Sequence, residues 1–242
     1  MRSRWPRTIS LTTLILLLIS QWLNTDAQNH RRRGRWAERE RAGLAQAFKG
    51  ITTHGRLDRN LFQIESTGVS TAPIVAAAEA FLEGLNDDQL LRVMFPVQSE
   101  EWRKWGNVHA YPRDGVSFEE LNGPQRRLAF GLLGASLSAK GLQTTQDIMK
   151  LNETLAELTG RPDAFGRWKY FLTIMGDPST ESPWGWQLDG HHCIINYFVL
   201  GDQVVMSPVF MGSEPTQARS GTFRGTRVLQ SEQETALELI RS

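Results

Sequence analysis

The apolar residues of this chain change their spacing once, near Gly166, from the helical period to the strand period. That single switch restricts the fold more than any other feature. Helices gathered on one side of the sequence and strands on the other argue for an α+β domain, with an N-terminal helical half packed on a C-terminal antiparallel sheet, and against alternating βαβ units. The 242 residues, 40% apolar and 22% charged, are enough to bury one sizeable core.

Before the switch, Trp36, Leu44, Ala47 and Phe48 mark a first amphipathic helix, closed by Gly50. His54 to Asp58 reads as a turn, and Leu61 to Ile64 as a short strand. Pro73 opens a helix running to Leu85. Asn86, with Gln89 three residues on, caps the next one, and Pro96 stops it. Pro124 starts a helix whose stripe is Leu128, Leu132, Leu133 and Leu137, ending near Gly141. Thr144 starts the last, carrying Ile148, Leu151, Leu155 and Leu158 to Gly160. After the switch, Trp168 to Met175 is one strand, Gln187 to Leu200 a second and Gln203 to Val209 a third. Gly201-Asp202 makes a two-residue hairpin turn between the last two. A further helix begins at Ser231, with Ala236, Leu237 and Ile240 on one face.

The N-terminus has the pattern of an export signal. Arg2, Arg4 and Arg7 precede an apolar run from Ile9 to Ile19, and Thr25-Asp26-Ala27 suits cleavage after Ala27. The run is shorter than the ~20 residues that span a bilayer. Residues 1–27 are therefore expected to be a signal peptide, leaving no stable membrane anchor in an exported chain, periplasmic or secreted. Residues 28–50 form a basic leader and first helix, and 51–242 a single α+β domain. Removing Arg2, Arg4, Arg7 and Asp26 takes 27 basic and 26 acidic side chains to 24 and 25, a formal charge of −1. Such a balance gives no basic footprint for nucleic acid. The one cysteine, Cys193, excludes an internal disulfide and reads as a small buried hydrophobe.

The densest chemistry lies in Pro183-Trp184-Gly185-Trp186-Gln187-Leu188-Asp189-Gly190-His191-His192. His191 and His192 are the candidate acid–base groups and metal ligands, with Asn196 as a polar neighbour and a divalent metal ion as the possible cofactor. On a regular strand His191 and His192 would point to opposite faces, so both could hold one ion only if a bulge or the strand start at Gly190 realigned them. Asp189 is the carboxylate of the block. Further metal ligands would have to come from His54, His109 or Glu214. Trp184, Trp186 and Tyr197 offer a platform for a small molecule or glycan, or else close the core. Arg103, between Trp102 and Trp105, is a candidate anion contact, and Glu214 a loop carboxylate at the site mouth. No Gly-x-Ser-x-Gly elbow, phosphate-cradling loop or His-Glu-x-x-His helix is present. Two readings follow: a metal-assisted hydrolase or related metalloenzyme, and a non-catalytic binding domain.

The ordered set Glu101-Trp102-Arg103-Lys104-Trp105, Leu137-Ser138-Ala139-Lys140-Gly141, Ile148 to Glu153, Gly176-Asp177-Pro178-Ser179, Trp184-Gly185-Trp186, Gly190-His191-His192, Asn196 and Pro208 to Gly212 resembles the domain of unknown function 3500 family. The likeness spans about Ala72 to Leu229. It implies membership of a group of often exported proteins and brings no catalytic assignment. Its members are expected to continue for roughly a hundred residues beyond the point matching Leu229, with further histidines and acidic residues.

Overall fold

The computed structural model describes residues 35, 38–39, 41–47, 52–54, 56–57 and 65–242. The expected signal peptide, most of the basic leader and the Leu61–Ile64 strand fall outside the described residues. The chain divides into two units, Met1–Ala47 and Phe48–Ser242. In the first, residues 41–44 are helical and mostly exposed. No helix among the described residues is long and apolar enough to cross a membrane.

The second unit opens with two paired two-residue strands, β1 (Thr52–Thr53) and β2 (Arg56–Leu57), with His54 in the turn between them. Helices α1 (Ala72–Glu83) and α2 (Asp87–Val93) follow. A short strand β3 (Met94–Phe95), a one-turn 3-10 helix (Glu100–Arg103) and strand β4 (Val116–Ser117) lead to α3 (Gly123–Ser136) and α4 (Ala139–Thr159). Four longer strands then run consecutively: β5 (Tyr170–Met175), β6 (Trp184–Gly190), β7 (Cys193–Leu200) and β8 (Gln203–Met211). Helix α5 (Gln230–Arg241) ends the chain and buries none of its residues.

Two capping boxes lock the helical half together. Asn86 and Gln89 satisfy each other's end of α2, and Asn122 and Gln125 do the same for α3. Gln125 Nε2 also donates to Gln89 Oε1 at 2.7 Å and to the Gly84 carbonyl at 3.0 Å, so the two caps share one buried hydrogen-bond cluster. The expected break near Gly141 falls earlier. Ser138 Oγ accepts from the Gly141 N–H and starts α4 there, while Thr145 sits inside the helix with its hydroxyl on the Gly141 carbonyl. The expected stop holds, since Gly160 ends α4 with φ 64°.

The sheet order is β3-β5-β6-β7-β8, with β4 pairing β5 alongside β3. β5 to β8 are antiparallel, whereas β3 runs parallel to β5, so the sheet is mixed rather than purely antiparallel. The architecture is α+β. One face carries Tyr170, Leu172, Ile174, Trp184, Trp186, Leu188, Cys193, Ile195, Tyr197 and Val199, and packs with Phe81, Leu132, Leu133, Ile148 and Leu151 in one core. The other face presents Thr173, Gln187, Asp189 and Asn196, covered by the segment 99–115. Gly185 permits that cover: a Cβ there would meet the Trp102 ring at 2.7 Å.

Candidate functional site

The expected long strand from Gln187 to Leu200 is two strands. Gly190 pairs with Cys193, which leaves His191 and His192 as the two corner residues of a tight hairpin turn. His192 has φ 62°, a left-handed conformation that histidine enters more readily than most side chains. Gly190 is required below it, because a Cβ there would run into the Tyr170 ring, whose hydroxyl donates to the His191 carbonyl at 2.9 Å. The turn removes the alternation that would have separated the two imidazoles. Their ring centroids stand 4.0 Å apart.

An asparagine holds each ring. His191 Nδ1 lies 2.9 Å from Asn152 Oδ1, and Asn152 Nδ2 donates to the Gly166 carbonyl at 2.8 Å. That second bond orients the amide, so its oxygen faces the ring and Nδ1 carries the proton. Nε2 is then the lone-pair nitrogen. Burial, with smaller effects from His192, His109 and Arg113, depresses the His191 pKa to about 3, so the ring is neutral. His192 Nδ1 lies 2.9 Å from Asn107 Oδ1, its N–H donates to the Asn107 carbonyl, and its carbonyl accepts from Gly212. His192 Nε2 is buried without a hydrogen-bond partner, and Glu214 Oε2, on an exposed side chain, is 3.7 Å away. Burial lowers the His192 pKa, and the Glu214 carboxylate opposes that shift.

The loop bearing Asn107 and His109 is tied down by Arg113. Its guanidinium donates to the carbonyls of Gly106, Val108, His109 and Tyr111, at 2.6 to 3.4 Å. Its Nε is 3.3 Å from Asp189 Oδ2, both side chains being about 95% buried. His109 packs against Phe165 with ring centroids 4.6 Å apart and planes tilted by 54°, and meets His191 edge-on at 5.8 Å.

Of the residues singled out in the sequence, the structure brings together His191, His192 and Glu214, with His109 beside them. Asp189 lies two residues before His191 and is engaged by Arg113. Asn196 joins a buried polar chain, accepting from Gln187 Nε2 at 2.7 Å and donating to the Pro208 carbonyl at 3.0 Å. Trp184 and Trp186 are fully buried on the helix-facing side of the sheet, their N–H groups on the Ser179 carbonyl and Ser136 Oγ. Tyr197 is 5% exposed and stacks on Trp186 at 5.2 Å. Arg103 is half-exposed, 3.8 Å from Glu100. Cys193 is buried on the core face, and burial pushes its thiol up to about 12, which removes it as a nucleophile.

Sequence reasoning missed Asn107, Arg113 and Asn152. Asn152 left a trace, being a poor helix former beside Leu151 on the buried stripe of α4. Asn107 and Arg113 left none, because His192 and Asp189, the residues that tie them to the site, are far away in the chain. Among the described residues no three His, Cys, Asp or Glu side chains stand close enough together to hold a metal ion.

No curated protein and no solved structure matches this chain. With a family match over residues 67–242, which takes in the core, the segment 99–115 and the His191–His192 turn, the chain belongs to the family described as protein of unknown function (DUF3500).

Proposed function

We propose that this protein is an exported enzyme of hydrolytic type, with the His191–His192 turn as its acid–base centre and His192 as the base. The observation that carries the reading is His192 Nε2, buried without a hydrogen-bond partner and 3.7 Å from Glu214 Oε2, while Nδ1 rests on Asn107. A desolvated lone pair left unsatisfied costs stability, and functional sites are where such costs are retained. In this reading Nε2 takes a proton from a water or hydroxyl nucleophile, Asn107 keeps the tautomer, and Glu214 stabilises the imidazolium that forms. Burial lowers the His192 pKa, which favours the unprotonated base at neutral pH.

The test is a panel of chromogenic esters, amides, glycosides and phosphoesters offered to the mature protein. Activity on one class, lost by at least about 100-fold in His192→Gln and retained in Arg103→Gln, supports the assignment. Activity unaffected by His192→Gln refutes it. N-terminal sequencing of the exported chain tests cleavage after Ala27.

A metal-assisted version is a second reading. It is favoured by both Nδ1 atoms resting on side-chain oxygens, the outer-shell arrangement that orients ligating imidazoles. It needs a donor beyond the two histidines, and elemental analysis decides it: near-stoichiometric metal, lost in His191→Ala or His192→Ala, supports this version. The non-catalytic alternative places a small ligand or glycan on Trp184, Trp186 and Tyr197, whose burial in the core favours the catalytic reading over it.

A further inference from the structure

We propose that Arg113 is the positioning residue of the site, the group that holds the His191–His192 turn and the Asn107 loop in a fixed relation; its relevance to catalysis rests on the reading above. Three observations carry this.

The Arg113 side chain is buried, and its guanidinium reaches four backbone carbonyls of one loop, those of Gly106, Val108, His109 and Tyr111. These carbonyls bracket Asn107 and include that of His109, so the guanidinium acts as the centre around which the loop is wound. The same side chain is ion-paired with Asp189, on β6 two residues before His191. One planar cation therefore joins the loop that supplies Asn107 to the strand that supplies the histidines. On the far side of this joint the loop and turn are bonded directly, through His192 N–H to the Asn107 carbonyl and His192 Nδ1 to the Asn107 amide oxygen.

The chemistry suits arginine and no other residue. Donating to several carbonyls while pairing with a carboxylate by charge needs a fixed fork of donors carrying permanent charge. A lysine has one nitrogen to place and cannot reach both sides. A metal ion at Asp189 would organise the same groups by charge, but the Asp189 carboxylate is already neutralised by the guanidinium. Arg113 makes no hydrogen bond to the groups assigned to proton transfer; beside a small electrostatic effect on His191, it acts on them through Asn107 and the backbone.

The experiment is long-range 1H–15N correlation NMR of the histidine rings in the full mature chain, with amide hydrogen exchange over residues 104–111. In the unmodified protein His192 should show one neutral tautomer, protonated at Nδ1, and the loop amides should be protected. In Arg113→Lys, which keeps the charge and loses the fork, His192 should show mixed tautomers and loop exchange should accelerate by about 100-fold or more, with the core amides of β6 and β7 unchanged. Arg113→Gln removes the positive charge that faces the buried Asp189 carboxylate. Should that variant not fold, the double variant Arg113→Gln/Asp189→Asn removes both charges and should show the same loosened loop. A single Nδ1-protonated tautomer with a protected loop in Arg113→Lys overturns the proposal. So does equal loss of protection across the whole sheet, which would make Arg113 a general stability residue. Neither readout uses turnover, so failure of the catalytic reading leaves this test standing.

Discussion

A buried imidazole that stays neutral and a buried carboxyl that resists ionising respond to pH in opposite directions, and His191 and Glu101 form such a pair. His191 has a folded pKa of about 3 against an ordinary 6.5. The unfolded chain therefore binds more protons between those values, so this contribution to stability is complete above pH 6.5 and is lost as pH falls toward 3. Glu101 is 3% exposed, and burial, reinforced by Asp114 and opposed by Lys104 at 3.3 Å, raises its pKa from 4.5 to about 7. Here the folded state binds the extra proton, so the contribution is complete below pH 4.5 and is lost as pH rises through 7. The two opposite slopes cancel between pH 4.5 and 6.5, so the expected thermal midpoint is level there and falls on both flanks. Glu101→Gln should remove the alkaline flank and leave the acid one, as read by calorimetry from pH 4 to 9. An unchanged alkaline flank would place the Glu101 carboxyl in water.

At the scale of elements, the β6–β7 turn combines backbone strain with the candidate chemistry. His192 supplies both a left-handed corner and a ring, and substitution separates the two. His192→Gly and His192→Val each delete the imidazole and its bond to Asn107. Glycine accepts the positive φ, whereas a β-branched residue there is strained. His192→Val should be less stable than His192→Gly by about 1–2 kcal/mol in urea unfolding, with both inactive in any assay that detects the unmodified protein. Equal stability would mean that the turn relaxes to another type. The sequence carried this element only in part. Gly201-Asp202 was legible as a turn because a Gly-first pair is a local signal, and Gly201 does adopt φ 61°. His191-His192 was not, because neither residue is a turn former and the flanking apolar runs read through as one strand.

Across the whole molecule, the sheet is covered unevenly. β5, β6 and β7 are buried on both faces, by helices on one side and by the segment 99–115 on the other. β8 is an edge strand with Val204, Val205, Met206, Val209 and Phe210 between 37% and 54% exposed, and it carries no charged residue. Charged or inward-turned edges discourage pairing between molecules, and this edge lacks the charge, although Pro208 interrupts its ladder. Val205→Lys should reduce light scattering during thermal unfolding and concentration-dependent association in sedimentation velocity, while changing the melting temperature little. Greater association in the variant would show that Val205 is protected by its own chain.

By itself the sequence determined what depends on neighbours in the chain: the helix stripes, the capping box at Asn86, the Gly160 stop, the α+β class and the concentration of chemistry around His191 and His192. Each is encoded within a few residues, where period and local hydrogen bonding decide. Only the tertiary structure decided that the two histidines lie side by side, that Asn107 and Asn152 hold them, that Arg113 engages Asp189, and that Trp184 and Trp186 face the helices. Those outcomes come from pairings across 39 to 85 positions, His191 with Asn152 and His192 with Asn107 among them. Such pairings form only when the sheet and its covering segment close together, and no local pattern of residues records which distant partner will arrive.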